Sequence, residues 1–235
     1  MKLSKLKINI FADGADFNLI RKYNKFPLIK GFTTNPSLMY KSKIKNYKNF
    51  ANKVIRMVNK KSLSFEVTAD EKFNMLRQAD EISSWSKNVY VKIPFTNSKG
   101  VKNVAIIKEL AERKRKINVT SIFTIKQVKE ILNTIPIKSD MYLSIFAGRI
   151  ADTGIDPKIT IRKAVKLSKK YKNLKILWAS CREPYSIIEA NQCGCHIITV
   201  PNSMISKLKL FGKNLEKYSV ETSRDFFIDS QQIKW

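Results

Sequence analysis

The chain has 235 residues, 43% of them hydrophobic, and its 45 Lys and Arg against 19 Asp and Glu give a formal net charge of +26. This apolar content is enough for a sizeable core, which excludes a wholly disordered protein. No apolar run approaches the roughly 18–20 residues that span a bilayer, and residues 1–7 lack the apolar stretch of a secretory signal. Three Cys and one His, without a C-x-x-C spacing, favour neither a disulfide framework nor a zinc site. We therefore expect a cytoplasmic protein that works without a metal or other cofactor.

Short apolar or β-branched runs recur along the chain, with polar, helix-like segments between them. We predict eight strands, at Ile8–Ala12, Ile29–Phe32, Ser64–Val67, Val89–Ile93, Asn118–Ile122, Tyr142–Phe146, Ile176–Ala179 and Ile197–Val200. Between them, Val104–Lys114 has apolar residues near helical spacing. Strands that alternate with helices pair in parallel through right-handed crossovers. Eight such units in a chain of this length predict an α/β fold, a (β/α)8 TIM barrel.

No internal repeat, low-complexity tract or Gly/Ser linker interrupts the chain. Barrels of roughly 200–250 residues are routinely single domains, so we predict one domain over residues 1–235. Its tail, Ser203–Trp235, has apolar residues typical of one or two amphipathic helices. We expect this helical tail to pack on the barrel or on a neighbouring subunit.

The net charge raises the possibility of a nucleic-acid partner, because Lys and Arg neutralise phosphates and release counterions. The basic residues are spread through the chain, however, often on the polar faces of predicted helices, as at Lys41 and Lys48. Aromatic residues do not interleave with them as in common RNA-binding motifs. We therefore expect a solvated basic surface without a specific nucleic-acid partner. A nucleic-acid-binding protein is the alternative from another class, and it predicts binding that falls steeply with salt.

The active site of such a barrel lies at the carboxyl ends of its strands. Polar residues at or just beyond the predicted strand ends are therefore the candidates. They are Asp13, Asn35, Glu66, Lys92, Asn118, Thr120, Ser144, Arg149, Ser180 and Arg182.

Lys92 is the sharpest candidate, because it interrupts the apolar run Val89–Ile93. If Val91 and Ile93 pack against helices, Lys92 points into the barrel lumen, where an ammonium costs several kcal/mol unless it is paired or deprotonated. Buried lysines can serve as Schiff-base nucleophiles. A structural ion pair, for instance with Glu66, or an exposed position on an edge strand would explain the same pattern.

The other candidates also have simpler explanations. Asp13 and Glu66 suit a helix cap or a charge at the bottom of the barrel as well as catalysis. Arg149 and Arg182 are either surface residues or a clamp that holds a phosphate bidentately. Of the remaining reactive side chains, His196, Cys193 and Cys195 are better explained as structural, and Cys181 is a weak nucleophile candidate that lacks an evident His partner.

Seven segments together resemble the transaldolase family, which are class I aldolases that include fructose-6-phosphate aldolases. The segments occur in family order, each at a predicted strand end, and the resemblance reaches from residue 8 to about residue 210. They are Phe11–Asp13, Gly31–Ser37, Phe65–Val67, Val91–Pro94, Asn118–Thr120, Ser144–Arg149 and Ala179–Arg182. The family's fold is a (β/α)8 barrel, in agreement with the strand count.

The resemblance implies a role for each candidate residue. Lys92 would form the Schiff base with a ketose phosphate, and Asp13 would take the proton of the C4 hydroxyl. Glu66 and Thr120 would hold the catalytic water. The substrate-binding residues would be Asn35 and Asn118 at the dihydroxyacetone unit, Ser144 and Phe146 along the sugar, and Arg149, Ser180 and Arg182 at the phosphate.

Two positions bear on the branch of the family. Transferring members pair a Glu on the third strand with a Phe on the sixth, whereas aldolase members tend to have Gln and Tyr there. Glu66 and Phe146 therefore predict a transaldolase, which implies a place in the pentose phosphate pathway and a homo-oligomer. The alternatives are a fructose-6-phosphate aldolase that releases dihydroxyacetone and a specialised member acting on an unusual sugar. Departures at Gly14, Cys181 and Trp178 leave the identity of the sugar open.

Overall fold

We analysed a computed structural model of the chain, which describes residues 3–58 and 60–234. Eight parallel strands follow one another around a closed barrel, and the last strand pairs with the first. The strands are β1 (Asn9–Asp13), β2 (Ile29–Thr33), β3 (Ser62–Glu66), β4 (Val89–Pro94), β5 (Ile117–Ile122), β6 (Met141–Ile145), β7 (Leu174–Trp178) and β8 (Ile197–Pro201). The prediction of a (β/α)8 barrel is confirmed, and every strand begins and ends within two residues of its predicted limits.

Helices connect successive strands and continue into the tail. They are α1 (Phe17–Asn24), α2 (Pro36–Lys41), α3 (Tyr47–Val58), α4 (Lys72–Ser84), α5 (Val104–Glu112), α6 (Ile125–Thr134), α7 (Ala147–Ala151), α8 (Pro157–Ser168), α9 (Ser186–Gln192), α10 (Asn202–Ile205) and α11 (Leu215–Ser230). A short 3₁₀ helix, Ser206–Leu210, follows α10.

Local sequence signals explain where several helices begin. A capping box opens α6, in which the Thr124 hydroxyl accepts from the Gln127 backbone N–H and the Gln127 side chain accepts from the Thr124 backbone N–H. Asp156 caps α8, whose first residue is Pro157. Proline suits this position because its missing N–H has no partner in the first turn.

Strand side chains alternate between two environments, as the period of two requires. Outward-facing residues such as Ile10, Val91 and Leu143 belong to the main core between barrel and helices. Inward-facing residues form a second cluster inside the lumen, in which Tyr90, Tyr142 and Ile197 lie near the amino-terminal ends of their strands. We call this cluster the aromatic floor; it comprises Phe11, Tyr90, Tyr142, Leu177, Ala179 and Ile197, with Phe146 at its edge.

The predicted C-terminal helices are present, but the two parts of the tail differ. Ile205 and Leu208 are buried against the rest of the chain. Helix α11 buries none of its residues, and Leu215 and Phe226 are 80% and 70% exposed. Trp235, which ends the predicted tail, lies outside the described residues. None of the helices within the described residues combines the length and apolar character needed to span a membrane.

Candidate active site

The strand register brings the central polar residues to one level of the lumen. Glu66 on β3 is the pairing partner of Lys92 on β4, and Lys92 is in turn the partner of Asn118 on β5. On the other side of the barrel, Asp13 on β1 is paired with Thr33 on β2. Neighbouring strands therefore present a carboxylate, an amine and an amide side by side.

These residues line a cavity of about 520 Å³ at the carboxyl ends of the strands. The cavity contains every predicted site residue, although they come from seven different strands or the connections that follow them. The predicted residues in its wall are Asp13, Asn35, Glu66, Lys92, Asn118, Thr120, Ser144, Phe146, Arg149, Ser180 and Arg182.

Lys92 is buried, with only 7% of its surface exposed. Its Nζ lies 3.0 Å from Glu66 Oε2 and donates to the backbone carbonyl of Thr34. The other carboxylate oxygen, Glu66 Oε1, accepts a hydrogen bond of 3.2 Å from the Thr120 hydroxyl. The ion pair with Glu66 thus exists, and it compensates the ammonium inside the lumen. It also puts a proton acceptor beside the amine, as an imine-forming site requires.

Asp13 lies opposite this pair. Its Oδ1 accepts a hydrogen bond of 2.7 Å from the Thr33 hydroxyl, which also contacts the hydroxyl of Thr199. Burial raises the pKa of Asp13, while the positive charge of Lys92 and the Thr33 hydrogen bond oppose that rise. A raised pKa makes the Asp13 carboxylate a stronger base than an ordinary one, which suits a group that takes up and returns a proton of a substrate.

Asn118 is fully buried and links two strands on either side. Its Nδ2 donates to Ser64 Oγ at 3.2 Å, and its Oδ1 accepts from Ser144 Oγ at 2.6 Å. This network fixes the amide orientation before any ligand arrives. Asn35 is also structural in part, because its Oδ1 caps helix α2 by accepting from the Leu38 N–H at 2.9 Å. Its Nδ2 remains the group that can reach a ligand.

The two predicted phosphate ligands stand at the rim. The Arg149 guanidinium lies over the Phe146 ring, 5.4 Å from its centroid. Arg182 forms a bidentate ion pair with Asp152, which follows α7. The hydrogen bond from Arg182 lowers the pKa of Asp152. Sequence reasoning missed Asp152, since nothing in the spacing of residues 152 and 182 shows that the two side chains meet.

Two glycines allow close approaches around the cavity. A Cβ at Gly148 would overlap the carbonyl oxygen of Ser180, which itself has a left-handed φ of 61°. The start of α7 and the end of β7 can therefore approach each other. Arg149 directly follows Gly148, and Arg182 lies two residues after Ser180, so the contact also brings the two arginines to the same part of the rim. At Gly14, a Cβ would overlap the Asn202 side-chain amide. A larger residue at position 14 would have to displace the Asn202 side chain.

Other wall residues were given no role by the sequence analysis. Thr33 and Thr199 support Asp13, and Lys41 on α2 adds a cation to the wall. Period-two alternation from Gly31 could have identified Thr33 as inward-facing, whereas the role of Thr199 depends on barrel closure. The Cys181 thiol lines the cavity, but burial raises its pKa to about 11 and it donates to the Glu183 carbonyl. It is a poor nucleophile. Within the described residues, no group of three or more His, Cys, Asp and Glu side chains could hold a metal ion.

Comparison with known proteins gives a consistent result. The sequence profile described as "Transaldolase/Fructose-6-phosphate aldolase" matches residues 10–234. The chain belongs to this family. It is 32% identical over 202 residues to a probable transaldolase of Dehalococcoides mccartyi, covering 86% of this chain and 90% of that protein. A probable transaldolase of Streptococcus agalactiae is also 32% identical, over 90% of this chain and 94% of its own length.

Solved structures of low sequence identity share the fold of this chain. A monomeric dihydrodipicolinate synthase variant superposes with a TM-score of 0.59 at 11% identity, covering 96% of this chain and 79% of its own. A putative fructose-1,6-bisphosphate aldolase from Coccidioides immitis gives a TM-score of 0.54 at 11% identity, covering 89% and 82%. At this identity the likeness concerns the barrel alone.

Proposed function

We propose that the protein is a class I transaldolase that transfers a dihydroxyacetone unit from a ketose phosphate to an aldose phosphate. Fructose 6-phosphate and sedoheptulose 7-phosphate are the proposed donors. The observation that carries the proposal is the buried Lys92 amine, 3.0 Å from Glu66 in a polar cavity that also holds Asp13. An amine flanked by two carboxyl groups, one with a raised pKa, suits imine formation followed by proton transfer to and from the substrate.

The reaction begins when Lys92 Nζ, as the free amine, attacks the C2 carbonyl carbon of the donor. The resulting carbinolamine loses its hydroxyl group as water and becomes a protonated imine. Glu66, which faces Lys92 through one oxygen and Thr120 through the other, is positioned to move the protons of these steps through a water molecule. The positive charge on the imine nitrogen then makes C2 an electron sink.

Carbon–carbon cleavage follows. Asp13 accepts the proton of the C4 hydroxyl, the C3–C4 bond breaks, and its electron pair forms an enamine while an aldose phosphate leaves. In the transfer step, enamine carbon C3 attacks the aldehyde carbon of the acceptor, and Asp13 returns the proton to the new C4 oxygen. Water then hydrolyses the imine, which releases the new ketose phosphate and regenerates Lys92.

Binding of the substrate is proposed to use the remaining polar wall. Asn118, already oriented by Ser64 and Ser144, and the free amide N–H of Asn35 would bind the dihydroxyacetone hydroxyls. Arg149 and Arg182, with Ser180, would hold the phosphate at the rim, because a guanidinium can bind two phosphate oxygens at once. Ser144 and Phe146 would line the sugar chain.

Phe146 favours transfer over simple cleavage. Its ring packs against Phe123, 5.7 Å between centroids, and offers no hydroxyl to protonate an enamine. Slow protonation gives an acceptor aldehyde time to react. Cleavage that releases free dihydroxyacetone is the second candidate, supported by the family membership itself, which includes fructose-6-phosphate aldolases.

Borohydride reduction in the presence of fructose 6-phosphate, followed by peptide mass spectrometry, tests the proposal. We expect a reduced dihydroxyacetone or hexose adduct on Lys92, and no adduct in Lys92→Met. An adduct with a different ketose phosphate alone would point to a specialised sugar. A folded protein that gives no adduct with any ketose phosphate would contradict the catalytic assignment.

A second assay separates transfer from cleavage. With fructose 6-phosphate and an aldotetrose 4-phosphate as acceptor, a transferase forms sedoheptulose 7-phosphate and releases glyceraldehyde 3-phosphate. Free dihydroxyacetone should then remain a minor product. Dihydroxyacetone release that is equally fast with and without the acceptor would assign the protein to the aldolase branch.

We also propose a homo-oligomer in which α11 contacts a neighbouring copy. Phe226 and Phe227 are 70% and 65% exposed, although large apolar residues are normally covered. Light scattering after size-exclusion chromatography should give a molar mass that is a multiple of 27.1 kDa. Replacing both phenylalanines with Ser should lower this molar mass. A wild-type monomer across the micromolar range would contradict this proposal.

A further inference from the structure

Fourteen of the 45 basic residues that are scattered along the sequence lie at one end of the barrel. The connections that lead into the eight strands, counting residues 3–8 before β1, contain fourteen Lys and Arg but one acidic residue, Asp140. The connections that lead directly out of the strands contain three cations and four carboxylates. Of the two ends of the barrel, the end opposite the candidate active site is therefore the positively charged one, and we call it the amino-terminal face.

Two connections carry much of this charge. Residues 113–116 read Arg-Lys-Arg-Lys, and residues 169–173 read Lys-Lys-Tyr-Lys-Asn. Carboxylates partly neutralise the first, since Arg113 and Arg115 pair with Asp80 and Lys116 pairs with Asp140. Among the described residues, no ion pair involves residues 169–173, and the three lysines there are exposed.

The fold itself produces this arrangement. Every helix that leads into a strand ends at the amino-terminal face, and the negative end of a helix dipole favours cations. The negative end of each helix carries a partial charge of about 0.5, far less in total than the charge of the fourteen cations in these connections. The amino-terminal face therefore keeps a large positive excess. Such a field attracts polyanions.

Other features of this face favour a flexible polyanion over a bilayer. Lys175 lies two residues before the inward-facing Leu177 and is exposed, so it stands at the mouth of the barrel inside the ring of connections. A flexible strand can reach it there, whereas a flat bilayer meets only the outer connections. Within the described part of these connections, Phe26, 43% exposed, is the exposed large apolar side chain. One phenylalanine is a weak anchor for a bilayer, but it can stack on a base.

We infer that the amino-terminal face binds single-stranded nucleic acid through its phosphates, without reading sequence. Cations arranged around the end of a barrel suit a chain that can bend from one to the next. Duplex DNA, with a persistence length of about 50 nm, would contact only part of the ring. This binding is independent of the proposed enzymatic function, because the two surfaces lie at opposite ends of the barrel.

Fluorescence anisotropy with the full chain and a labelled 20-nucleotide RNA of mixed sequence tests the inference. We expect log K to fall linearly with log [KCl] with a slope of about −3, which corresponds to about four phosphate contacts at −0.7 per contact. A 20-nucleotide DNA of the same sequence should bind with similar affinity, since the face offers no specific reader of the 2′-hydroxyl.

A matched pair of variants localises the binding. Replacing Lys169, Lys170, Lys172 and Lys175 with Gln removes four charges from the amino-terminal face. We expect about a tenfold loss of affinity at 100 mM KCl and a shallower salt slope. The control replaces Lys45, Lys99, Lys126 and Lys129, which are exposed outside this face. It has the same net charge and should bind within twofold of the wild type.

Several results would overturn the inference. They are no RNA binding at 50 mM KCl, equal losses in the two variants, and displacement of the RNA by fructose 6-phosphate, which would locate the RNA in the catalytic cavity. Tight binding to vesicles containing 20% phosphatidylserine without RNA binding would assign the face to a membrane surface instead. Imine trapping on Lys92 should be unchanged in both variants, which also verifies that they fold.

Discussion

The two halves of the barrel lumen are built from the same strands but have opposite chemistry. Toward the carboxyl ends, most inward-facing residues are charged or polar, with Asp13, Glu66 and Lys92 within one cavity. Two residues earlier on β1 and β4, the inward-facing residues are Phe11 and Tyr90, part of the aromatic floor. The charged layer thus rests on a layer of buried, mostly apolar side chains.

The packing of the floor shows how it closes the lumen. Tyr90 and Tyr142 stack with 4.0 Å between ring centroids, and Phe11 meets Tyr142 edge-on at 6.0 Å. The tyrosine hydroxyls are satisfied at the edge of the layer, by Asp140 for Tyr90 and Ser62 for Tyr142. Residues that stabilise the barrel and residues placed for chemistry are thus successive inward-facing residues of the same strands, two positions apart. Changes in the floor should reduce stability, and changes in the charged layer should reduce activity.

Glu66→Gln is the strongest test on the charged layer. The amide retains its size but cannot exchange protons with Lys92, so we expect imine formation to slow by about 10²–10³-fold. The melting temperature should change little, because Lys92 keeps the Thr34 carbonyl and the nearby Asp13 as partners. Rapid-quench borohydride trapping measures the imine directly. A wild-type rate in this variant would remove Glu66 from the proton-transfer steps.

Gly31→Ala tests the floor. A Cβ at residue 31 would lie 2.8 Å from the Phe11 ring, and overpacking of this kind costs about 1–3 kcal/mol. Calorimetry should show a melting temperature lower by about 2–10 °C, with imine trapping retained at 20 °C. The double variant Phe11→Leu/Gly31→Ala should recover part of the loss, since it removes the clashing ring. Additive effects of the two substitutions would show that the ring is not the cause.

Asp13→Asn tests how much the buried carboxyl group of Asp13 lowers the free energy of unfolding. Because burial raises the pKa of Asp13, the folded state holds a proton that the unfolded state releases above about pH 3.9. Stability therefore falls as pH rises through the window above that value, by up to about 1.4 kcal/mol per pH unit. The Asn variant lacks this slope, so it should be more stable than the wild type at pH 7 and lose that advantage near pH 3.5. Urea unfolding at both pH values measures the difference. A variant less stable at pH 7 would mean that Lys92 needs the Asp13 charge.

Asp152→Asn should have the smallest effect. The Asn oxygen can still hold Arg182, but the negative charge that opposes a bound phosphate is gone. Coulomb interaction over the rim predicts a KM about two- to fivefold lower for a ketose phosphate. The unphosphorylated ketose is the control, and its KM should not move. If the KM values of both substrates change by the same factor, Asp152 acts on the sugar site as a whole rather than on the phosphate.

Most residues of the candidate site could be predicted from the positions of the strand ends and from the alternation of side chains along the strands. Lys92 is inward-facing because Val91 and Ile93 are not, and the predicted residues from Asp13 to Arg182 do converge on one cavity. Asn35 illustrates the limit of that reasoning. Its Oδ1 accepts the capping hydrogen bond at the start of α2, and only the folded geometry shows this.

The sequence by itself determined the eight strands, their order around a barrel and the side chains that face inward, because these follow from periodicity and short-range chain geometry. Tertiary structure decided what depends on distant segments meeting: the Arg182–Asp152 pair, the Gly14–Asn202 contact and the exposed face of α11. It also decided that cations spread over the whole chain share one end of the barrel. Most of those cations follow a helix and precede a strand, and the parallel fold brings every such position to the same side.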